Sequence, residues 1–220
     1  MNHYFCNDWL KNKIAANLAG FNKKILDGEN IRSAAVAVTV VDYQGKGALP
    51  GLLSAPDDAA SLILTRRSVR LKNHSGQWAL PGGSIDLGES PQQTALRELG
   101  EEVGLHLREE NVLGCLDDFI TRSGFHITPV VIWGGDKVDL TPNEEEVASI
   151  HRIPFGEFLR PDAPILDYAV DGQHPILLMP AGDSCIATPT AAMLFQFREV
   201  ALLGNETRVA HFEQPYFAWR

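Results

Sequence analysis

Apolar residues in this chain recur with two different spacings, and each spacing predicts a different kind of element. Trp9, Leu10, Ile14, Leu18 and Phe21 recur every three or four residues, which predicts an amphipathic helix over 8–21 that packs through this stripe. Short apolar runs rich in β-branched residues predict strands. These runs cover residues 33–41, 61–65, 77–80, 111–120, 126–133, 147–150 and 176–179.

A central helix is predicted over residues 91–103. Pro91 suits the first helical turn, where its missing N–H costs nothing, and Ser90 can cap the free N–H groups of that turn. Apolar residues at three- and four-residue spacing form the buried stripe of this helix. They are Ala95, Leu96, Leu99 and Val103.

Later segments predict a short helix over 155–159 and a C-terminal helix over 189–203. Strands therefore flank one central helix, an order that fits an α/β (α+β) sandwich of helices around a mixed sheet. We expect an N-terminal helical extension over 1–32, one domain over 33–204 and an aromatic tail over 205–220. The tail carries Phe212, Tyr216, Phe217 and Trp219, which we expect to dock on the domain or on a second subunit.

Composition and charge narrow the class of protein. The chain has 220 residues, is 45% hydrophobic and carries a formal net charge of −9, which argues against a large surface for nucleic acid or anionic membranes. Its three cysteines are odd in number and widely spaced, as expected of reduced thiols in the cytoplasm. The first 18 residues lack the long uncharged core of a signal peptide or membrane span. We therefore expect a cytoplasmic protein.

Three glutamates are crowded on the central helix. Glu98 and Glu102 are four residues apart and share a face, and Glu101 lies at the edge of that face. A generic acidic pattern of this kind is usually a solvated helix face. Crowded carboxylates repel one another unless a cation intervenes, and hard ions such as Mg²⁺ prefer carboxylate oxygens together with substrate phosphates. The cluster is therefore a candidate metal site.

The surrounding residues match the signature of the Nudix hydrolases at every specified position. That signature is a glycine, a glutamate six residues later, then an Arg-Glu pair, an aliphatic residue, a Glu-Glu pair, a glycine and a final aliphatic residue. In this chain the corresponding residues are Gly83, Glu89, Arg97, Glu98, Leu99, Glu101, Glu102, Gly104 and Leu105. The chain thus resembles this family over a segment of 23 residues.

The resemblance implies an α/β/α sandwich in which the signature forms a loop–helix–loop. It implies that Glu98, Glu101 and Glu102 bind Mg²⁺ or Mn²⁺ and that one of them orients or deprotonates water. A backbone carbonyl of Gly82 or Gly83 is expected to join the metal ligands, in a turn with positive φ.

Arg97 and Glu89 are expected to support the motif rather than to react. Arg97 directly precedes Glu98 and should point to a different face of the helix, where it could form a bidentate pair with a carboxylate. The family pattern implies that Glu89 is this partner or a more distant metal ligand.

Basic residues precede the signature and indicate the substrate. Arg66, Arg67, Arg70 and Lys72, followed by Gly76 and the Leu80-Pro81-Gly82-Gly83 run, resemble the additional motif of the coenzyme A pyrophosphatase branch, with Leu80 in place of a phenylalanine. These cations could bind the phosphates of coenzyme A. Strand alternation sends Arg66 and Arg67 to opposite faces, so one of them should reach the ligand.

A downstream acidic residue often completes Nudix sites, and Glu145 and Glu146 lie in the acidic run where we expect it. The predicted function is metal-dependent hydrolysis of a pyrophosphate bond in coenzyme A or an acyl-coenzyme A, giving 3′,5′-ADP and phosphopantetheine. ADP-ribose or another nucleotide is the alternative substrate, and a non-catalytic nucleotide sensor is the alternative from a different class. No nucleic acid or membrane partner is expected. If the chain forms a homodimer, the N-terminal helix and the tail are the expected interface.

Overall fold

The computed structural model describes residues 4–26, 31–45, 49–70, 76–168 and 174–215. Within these ranges the helices are α1 (Asp8–Gly20), α2 (Pro91–Val103), α3 (Phe155–Phe158) and α4 (Thr190–Gln196), with a 3₁₀ turn at Glu109–Asn111 and a π-helical segment at Phe197–Leu202. The strands are β1 (Arg32–Asp42), β2 (Ala60–Arg67), β3 (Trp78–Ala79), β4 (Gly82–Ser84), β5 (Val112–Cys115), β6 (Phe119–Ile120), β7 (Phe125–Gly135), β8 (Val147–Pro154), β9 (Ile165–Asp167), β10 (Ile176–Ala181) and β11 (Ser184–Ala187).

A mixed sheet forms the centre of the fold. Its main path runs β3-β2-β1-β7-β5, while β4 pairs with β1, β6 with β7 and β8 with β2. Strands β1 and β7 are parallel, and the other pairs in this sheet are antiparallel. The mixed sheet predicted from the order of elements is therefore confirmed.

Strand β1 is buried on both faces, which explains its nearly continuous apolar sequence. Ala35 and Ala37 belong to the hydrophobic cluster that contains the apolar stripe of α2. Val38 and Val40 belong to the cluster that contains the buried residues of α1 and α4. Helices therefore cover both faces of the sheet, in the predicted α/β/α layering.

Helix α1 packs through Leu10, Ile14 and Leu18, which are buried in the larger cluster. Trp9 is 63% exposed, so the prediction that it belongs to the packing stripe is wrong. It directly precedes Leu10 in the helix, and its side chain lies under the Nζ of Lys13 instead. Among the described residues, no helix has both the length and the apolar composition needed to cross a membrane.

In the predicted tail, Phe212 is buried and its ring contacts the ring of Phe195. Phe212 therefore packs against Phe195 of α4, while docking of the whole tail stays a prediction. The other tail aromatics, Tyr216, Phe217 and Trp219, lie outside the described residues.

A second, smaller sheet has the order β11-β10-β9 and is antiparallel. Sequence patterns predicted β10 and missed both of its neighbours. Strand β11 has the sequence SCIA, in which Ile186 alone is fully buried, so it carries little hydrophobic periodicity. Its strand conformation depends on pairing with β10, which a local pattern does not report.

The predicted strand over 111–120 is interrupted at residues 116–118. Asp117 and Asp118 are buried there and bind groups from distant segments instead of continuing the ladder. Asp118 pairs with Lys23 Nζ at 2.8 Å, and Asp117 pairs with an Nη of Arg208 at 2.7 Å. Through these two ion pairs, the segment that follows α1 and the segment that follows the π-helix are attached to the centre of the fold.

The Gly82-Gly83 pair does not form the predicted positive-φ turn. Both glycines lie in β4, opposite Val36 and Ala35 of β1, and neither has a positive φ. Glycine is required for space: a Cβ on Gly82 would lie 2.4 Å from the carbonyl oxygen of Ala35. The backbones of β1 and β4 leave no room for that atom.

We expect Gly82→Ala to lower the free energy of unfolding by about 1–3 kcal/mol, because overpacking against backbone cannot be relieved by a side-chain rotation. Gly20→Ala is the matched control, since a Cβ on Gly20 would meet no atom within 4 Å. Chemical denaturation of the three proteins measures the difference. Equal stability of Gly82→Ala and the wild type would contradict the assigned β1–β4 contact.

Candidate active site

The helix that carries the glutamates is held firmly at both ends. Ser90 Oγ accepts from the Gln93 N–H at 3.2 Å, and Gln93 Oε1 accepts from the Ser90 N–H at 3.0 Å, which completes a capping box. Gly104 ends the helix in the left-handed region, with φ 71°. The side chains of α2 are therefore displayed from a rigid support.

Glu98 and Glu102 are buried side chains on α2, whereas Glu101 is exposed. Glu98 lies directly against β4, because a Cβ on Gly83 would fall 2.1 Å from Glu98 Oε1. Gly83 therefore lets a carboxylate approach the strand backbone closely. The face of α2 that carries Glu98 and Glu102 therefore lies against Gly82 and Gly83.

Arg97 joins four acidic side chains of the motif. Its Nε and Nη2 donate to the two oxygens of Glu89 at 2.9 and 3.1 Å, which is a bidentate pair. Its Nη1 donates to Glu98 at 2.8 Å and to Glu101 at 2.9 Å, and Asp86 lies 4.0 Å from Nη2. The expectation that Arg97 points away from the glutamate face is wrong, because its side chain contacts Glu98 and Glu101 on α2.

This network changes the pKa values of its members. Hydrogen bonds from Arg97 and then from Thr94 lower the pKa of Glu89 to about 2. The pKa of Arg97 is raised, first by its hydrogen bond to Glu89 and further by Glu98 and Glu101. The arginine therefore keeps its charge beside the helix.

Glu102 experiences the opposite environment. Burial, followed by the charges of Glu98 and Glu146, raises its pKa to about 8, while the charge of Arg67 and the backbone N–H of Gly82 act against this rise. Burial is also the largest cause of the raised pKa of Glu98. A cation placed among these carboxylates would offset the cost of burying their negative charges and would reduce the repulsion between them.

The loop that carries Glu146 is bonded to α2, and the charge of Glu146 acts on Glu98 and Glu102. The N–H groups of Thr141 and Asn143 donate to the Val103 and Glu102 carbonyls at the end of that helix, each at 2.9 Å. The Glu146 carbonyl then accepts from the Ser68 N–H at 2.8 Å. Glu145 and Glu146, the two predicted downstream acids, are both exposed.

A cavity of about 520 Å³ opens beside the glycine pair. Gly82 and Gly83 form one part of its wall, and Arg66 and Arg67 form another. Apolar side chains complete it, among them Val36, Phe125, Ile127 and Pro189. The carboxylate cluster thus lies behind the glycine pair, next to a cavity with cationic and apolar walls.

Arg66 and Arg67 both border this cavity. That alternation sends the two side chains to opposite faces stays a prediction. The register between β2 and β8 shifts between Arg66 and Arg67, and such an irregularity re-aims side chains. Arg70 is exposed and is not part of the wall, and Lys72 lies outside the described residues.

Comparison with known proteins identifies the family to which this chain belongs. The NUDIX domain pattern matches residues 34–171. That range includes most of β1 and all of β4, α2 and the loop of Glu146, and it exceeds half of the chain. The chain belongs to the Nudix family.

Two relatives are Nudix hydrolases designated NudL. The protein from Citrobacter koseri is 36% identical over 70% of this chain and 69% of its own length. The protein from Yersinia enterocolitica is 46% identical over 46% of this chain and 52% of its own length, so the match spans about half of that relative. Among solved structures, a MutT/nudix family protein from Enterococcus faecalis aligns with a TM-score of 0.44 and 19% identity over 75% of this chain and 54% of that chain.

The donors of this Nudix motif fit a hard divalent cation. Every candidate ligand is an oxygen, and the buried Glu98 and Glu102 carboxylates repel each other. Within the described ranges, no three His, Cys, Asp or Glu side chains converge closely enough to enclose an ion. Arg97 holds Glu98 and Glu101, so the arginine supplies the positive charge beside these two glutamates.

Two residues beside Arg66 at the cavity were not predicted from the sequence. Trp78 of β3 lines the cavity, and Ser184 of β11 bonds to both Trp78 and Arg66. Trp78 lies within the additional motif, two residues before Leu80, so alternation could have placed both on one face. Ser184 had no signal, because its role depends on contacts more than 100 residues away in the chain.

The Glu89–Arg97 pair predicts a specific pH dependence of stability. Because the folded-state pKa of Glu89 is about 2 and lies below the ordinary value of 4.5, its contribution is present above pH 4.5 and is lost as the pH falls towards 2. We therefore expect Glu89→Gln to be less stable than the wild type at pH 7 and to lose less stability between pH 5 and pH 2.

Urea denaturation at several pH values measures this difference between the two proteins. Glu110→Gln is the control, since Glu110 is an exposed glutamate outside the Arg97 network. Parallel stability curves for Glu89→Gln and the wild type below pH 5 would contradict the coupling.

Proposed function

We propose that this chain hydrolyses a pyrophosphate bond in a nucleoside diphosphate derivative. The observation that carries the proposal is the position of two buried glutamates, Glu98 and Glu102, behind the glycine strand of a cavity lined by Arg66 and Arg67. A pyrophosphate is doubly anionic, so cleavage requires positive charge at the bridging oxygens and an activated water molecule. The Nudix motif supports the same reaction.

Glu98, Glu101 and Glu102 are the proposed metal-binding and catalytic residues, together with a backbone carbonyl of Gly82 or Gly83. Mg²⁺ or Mn²⁺ held by these oxygens supplies charge neutralisation and an acidified water molecule. Glu98 and Glu102 are the essential pair, and Glu101, which is exposed, is a further ligand or the base that takes a proton from water.

Arg97 and Glu89 act as supports in this proposal. Their bidentate pair fixes the side chain of Arg97, which in turn orients Glu98 and Glu101 through its Nη1. Among the downstream acids, Glu146 is favoured over Glu145, because Glu146 is close enough to raise the pKa values of Glu98 and Glu102.

Coenzyme A or an acyl-coenzyme A is the proposed substrate, and 3′,5′-ADP and phosphopantetheine are the products. The supporting observations are the cationic wall of the cavity and the additional motif that ends in Leu80-Pro81-Gly82-Gly83. Arg67 is the candidate phosphate-binding residue, since its charge acts on Glu102 and its Nε is buried without a hydrogen-bond partner among the described residues.

The proposal includes a cytoplasmic location. Cys6, Cys115 and Cys185 are free thiols in the structure, and free thiols are typical of reducing compartments. The exposed Trp9 of α1 is a candidate contact if two copies of the chain associate.

Glu102→Gln should abolish Mg²⁺- or Mn²⁺-dependent hydrolysis while the protein remains folded. The substitution removes the negative charge but almost no volume, so the buried position stays filled. We expect turnover to fall by at least about 100-fold, because even residues that merely orient metal ligands contribute 10–100-fold. Product release followed by chromatography measures turnover, and thermal denaturation verifies folding.

Glu145→Gln is the matched control, as it removes the same charge from an exposed site. Unchanged turnover in Glu102→Gln would refute the assignment of Glu102. Equal losses in both variants would show that total charge, rather than this position, controls the rate.

Substrate identity is tested by incubating the wild type with coenzyme A, ADP-ribose and diadenosine polyphosphates, each with Mg²⁺ and with Mn²⁺. We expect coenzyme A to have the highest kcat/KM and mass spectrometry to identify 3′,5′-ADP and phosphopantetheine. Rapid cleavage of ADP-ribose without cleavage of coenzyme A would overturn the proposed substrate and leave the reaction class intact.

A further inference from the structure

Arg66 lies flat on an aromatic ring at the wall of the cavity. It is the cross-strand partner of Trp78, and its guanidinium carbon lies 3.8 Å from the centroid of the Trp78 ring. Trp78 is only 8% exposed, so its ring is covered and offers little surface to a ligand. The surface presented to the cavity at this position is therefore that of Arg66.

Hydrogen bonds fix the plane of this guanidinium. Nη1 of Arg66 donates to the Gly76 carbonyl at 3.0 Å, and Nη2 donates to Ser184 Oγ at 3.0 Å. The same Ser184 oxygen accepts from Trp78 Nε1 at 3.1 Å. One hydroxyl group thus fixes the ring and the cation relative to each other.

The partners of Arg66 are neutral. Among the described residues, no carboxylate lies within ion-pair distance of it, whereas Arg97 on the other side of the glycine strand has four acidic neighbours. One face of the Arg66 guanidinium is covered by Trp78, so the opposite face is the one left for a ligand. A planar cation with one free face is suited to stacking on an aromatic base.

We propose that Arg66 determines specificity for the nucleoside part of the substrate, by stacking its free guanidinium face on the base, and that Ser184 is the positioning residue that holds this face in place. Arg67 then neutralises the diphosphate. This division revises the expectation that Arg66 binds phosphate. It rests on the proposed function only in placing a nucleotide in this cavity.

The test compares two ligands that share a phosphate and a sugar but differ in the base. Binding of 5′-AMP and of ribose 5-phosphate is measured by calorimetry for the wild type, Arg66→Lys and Arg66→Gln. Because the planar surface that stacks on the base is lost, we expect each variant to bind 5′-AMP about 5- to 100-fold more weakly, within the range of aromatic stacking. In Arg66→Lys, which keeps the charge, affinity for ribose 5-phosphate should change less than about twofold, because no stacking is lost.

Arg66→Lys is the decisive variant, because lysine keeps the charge and loses the plane. Retention of 5′-AMP affinity in Arg66→Lys together with its loss in Arg66→Gln would overturn the proposal and assign a purely charge-based role. Equal losses for both ligands would also overturn it. A wild-type protein without preference for 5′-AMP over ribose 5-phosphate would do the same.

Ser184→Ala and Ser184→Thr test the positioning role with little change in volume. We expect Ser184→Ala to weaken binding of 5′-AMP and Ser184→Thr, which keeps the hydroxyl group, to restore it. Wild-type affinity in Ser184→Ala would refute the role of Ser184. These measurements involve no turnover, so a failure to cleave coenzyme A and a failure of base stacking are separate results.

Discussion

The absence of two side chains sets the distances on which the candidate site depends. Without a Cβ on Gly82, β4 can lie against β1, and without one on Gly83, the carboxylate of Glu98 can rest on the backbone of β4. The helix and the sheet therefore meet at the candidate site through the Glu98 side chain and the backbone of β4. Larger residues at either position would separate the glutamates from the cavity wall or push the strand out of the sheet.

Charge is the second constraint, and it acts on both sides of α2. On the more exposed side, Arg97 gathers Glu89, Glu98 and Glu101 around one guanidinium. On the buried side, Glu102 faces other carboxylates, and its pKa of about 8 reflects burial and repulsion. The motif thus combines acids that Arg97 already neutralises with one that lacks such a partner, so that only a proton or a bound cation can neutralise Glu102.

Local sequence signals predicted the parts of the structure that depend on neighbours in the chain. Helix α2 was predicted with its observed ends, because the Ser90 cap, Pro91, the apolar stripe and Gly104 all lie within 15 residues. Features that depend on distant partners were missed. Strand β4 was taken for a turn, β11 was not recognised, and the register shift between Arg66 and Arg67 results from pairing with β8.

Ser184 bonds to Arg66 and Trp78, and it lies outside the part of the chain that matches the NUDIX domain, whereas they lie inside it. Residues 34–171 match the NUDIX domain and contain α2 with all of its glutamates, whereas the hairpin that carries Ser184 lies beyond that match. If the hairpin helps to choose the ligand through Arg66, then part of that selection is encoded in a different stretch of the gene from α2. After a duplication, substitutions in the hairpin could redirect one copy to a new molecule while the inherited helix with its glutamates remained unchanged.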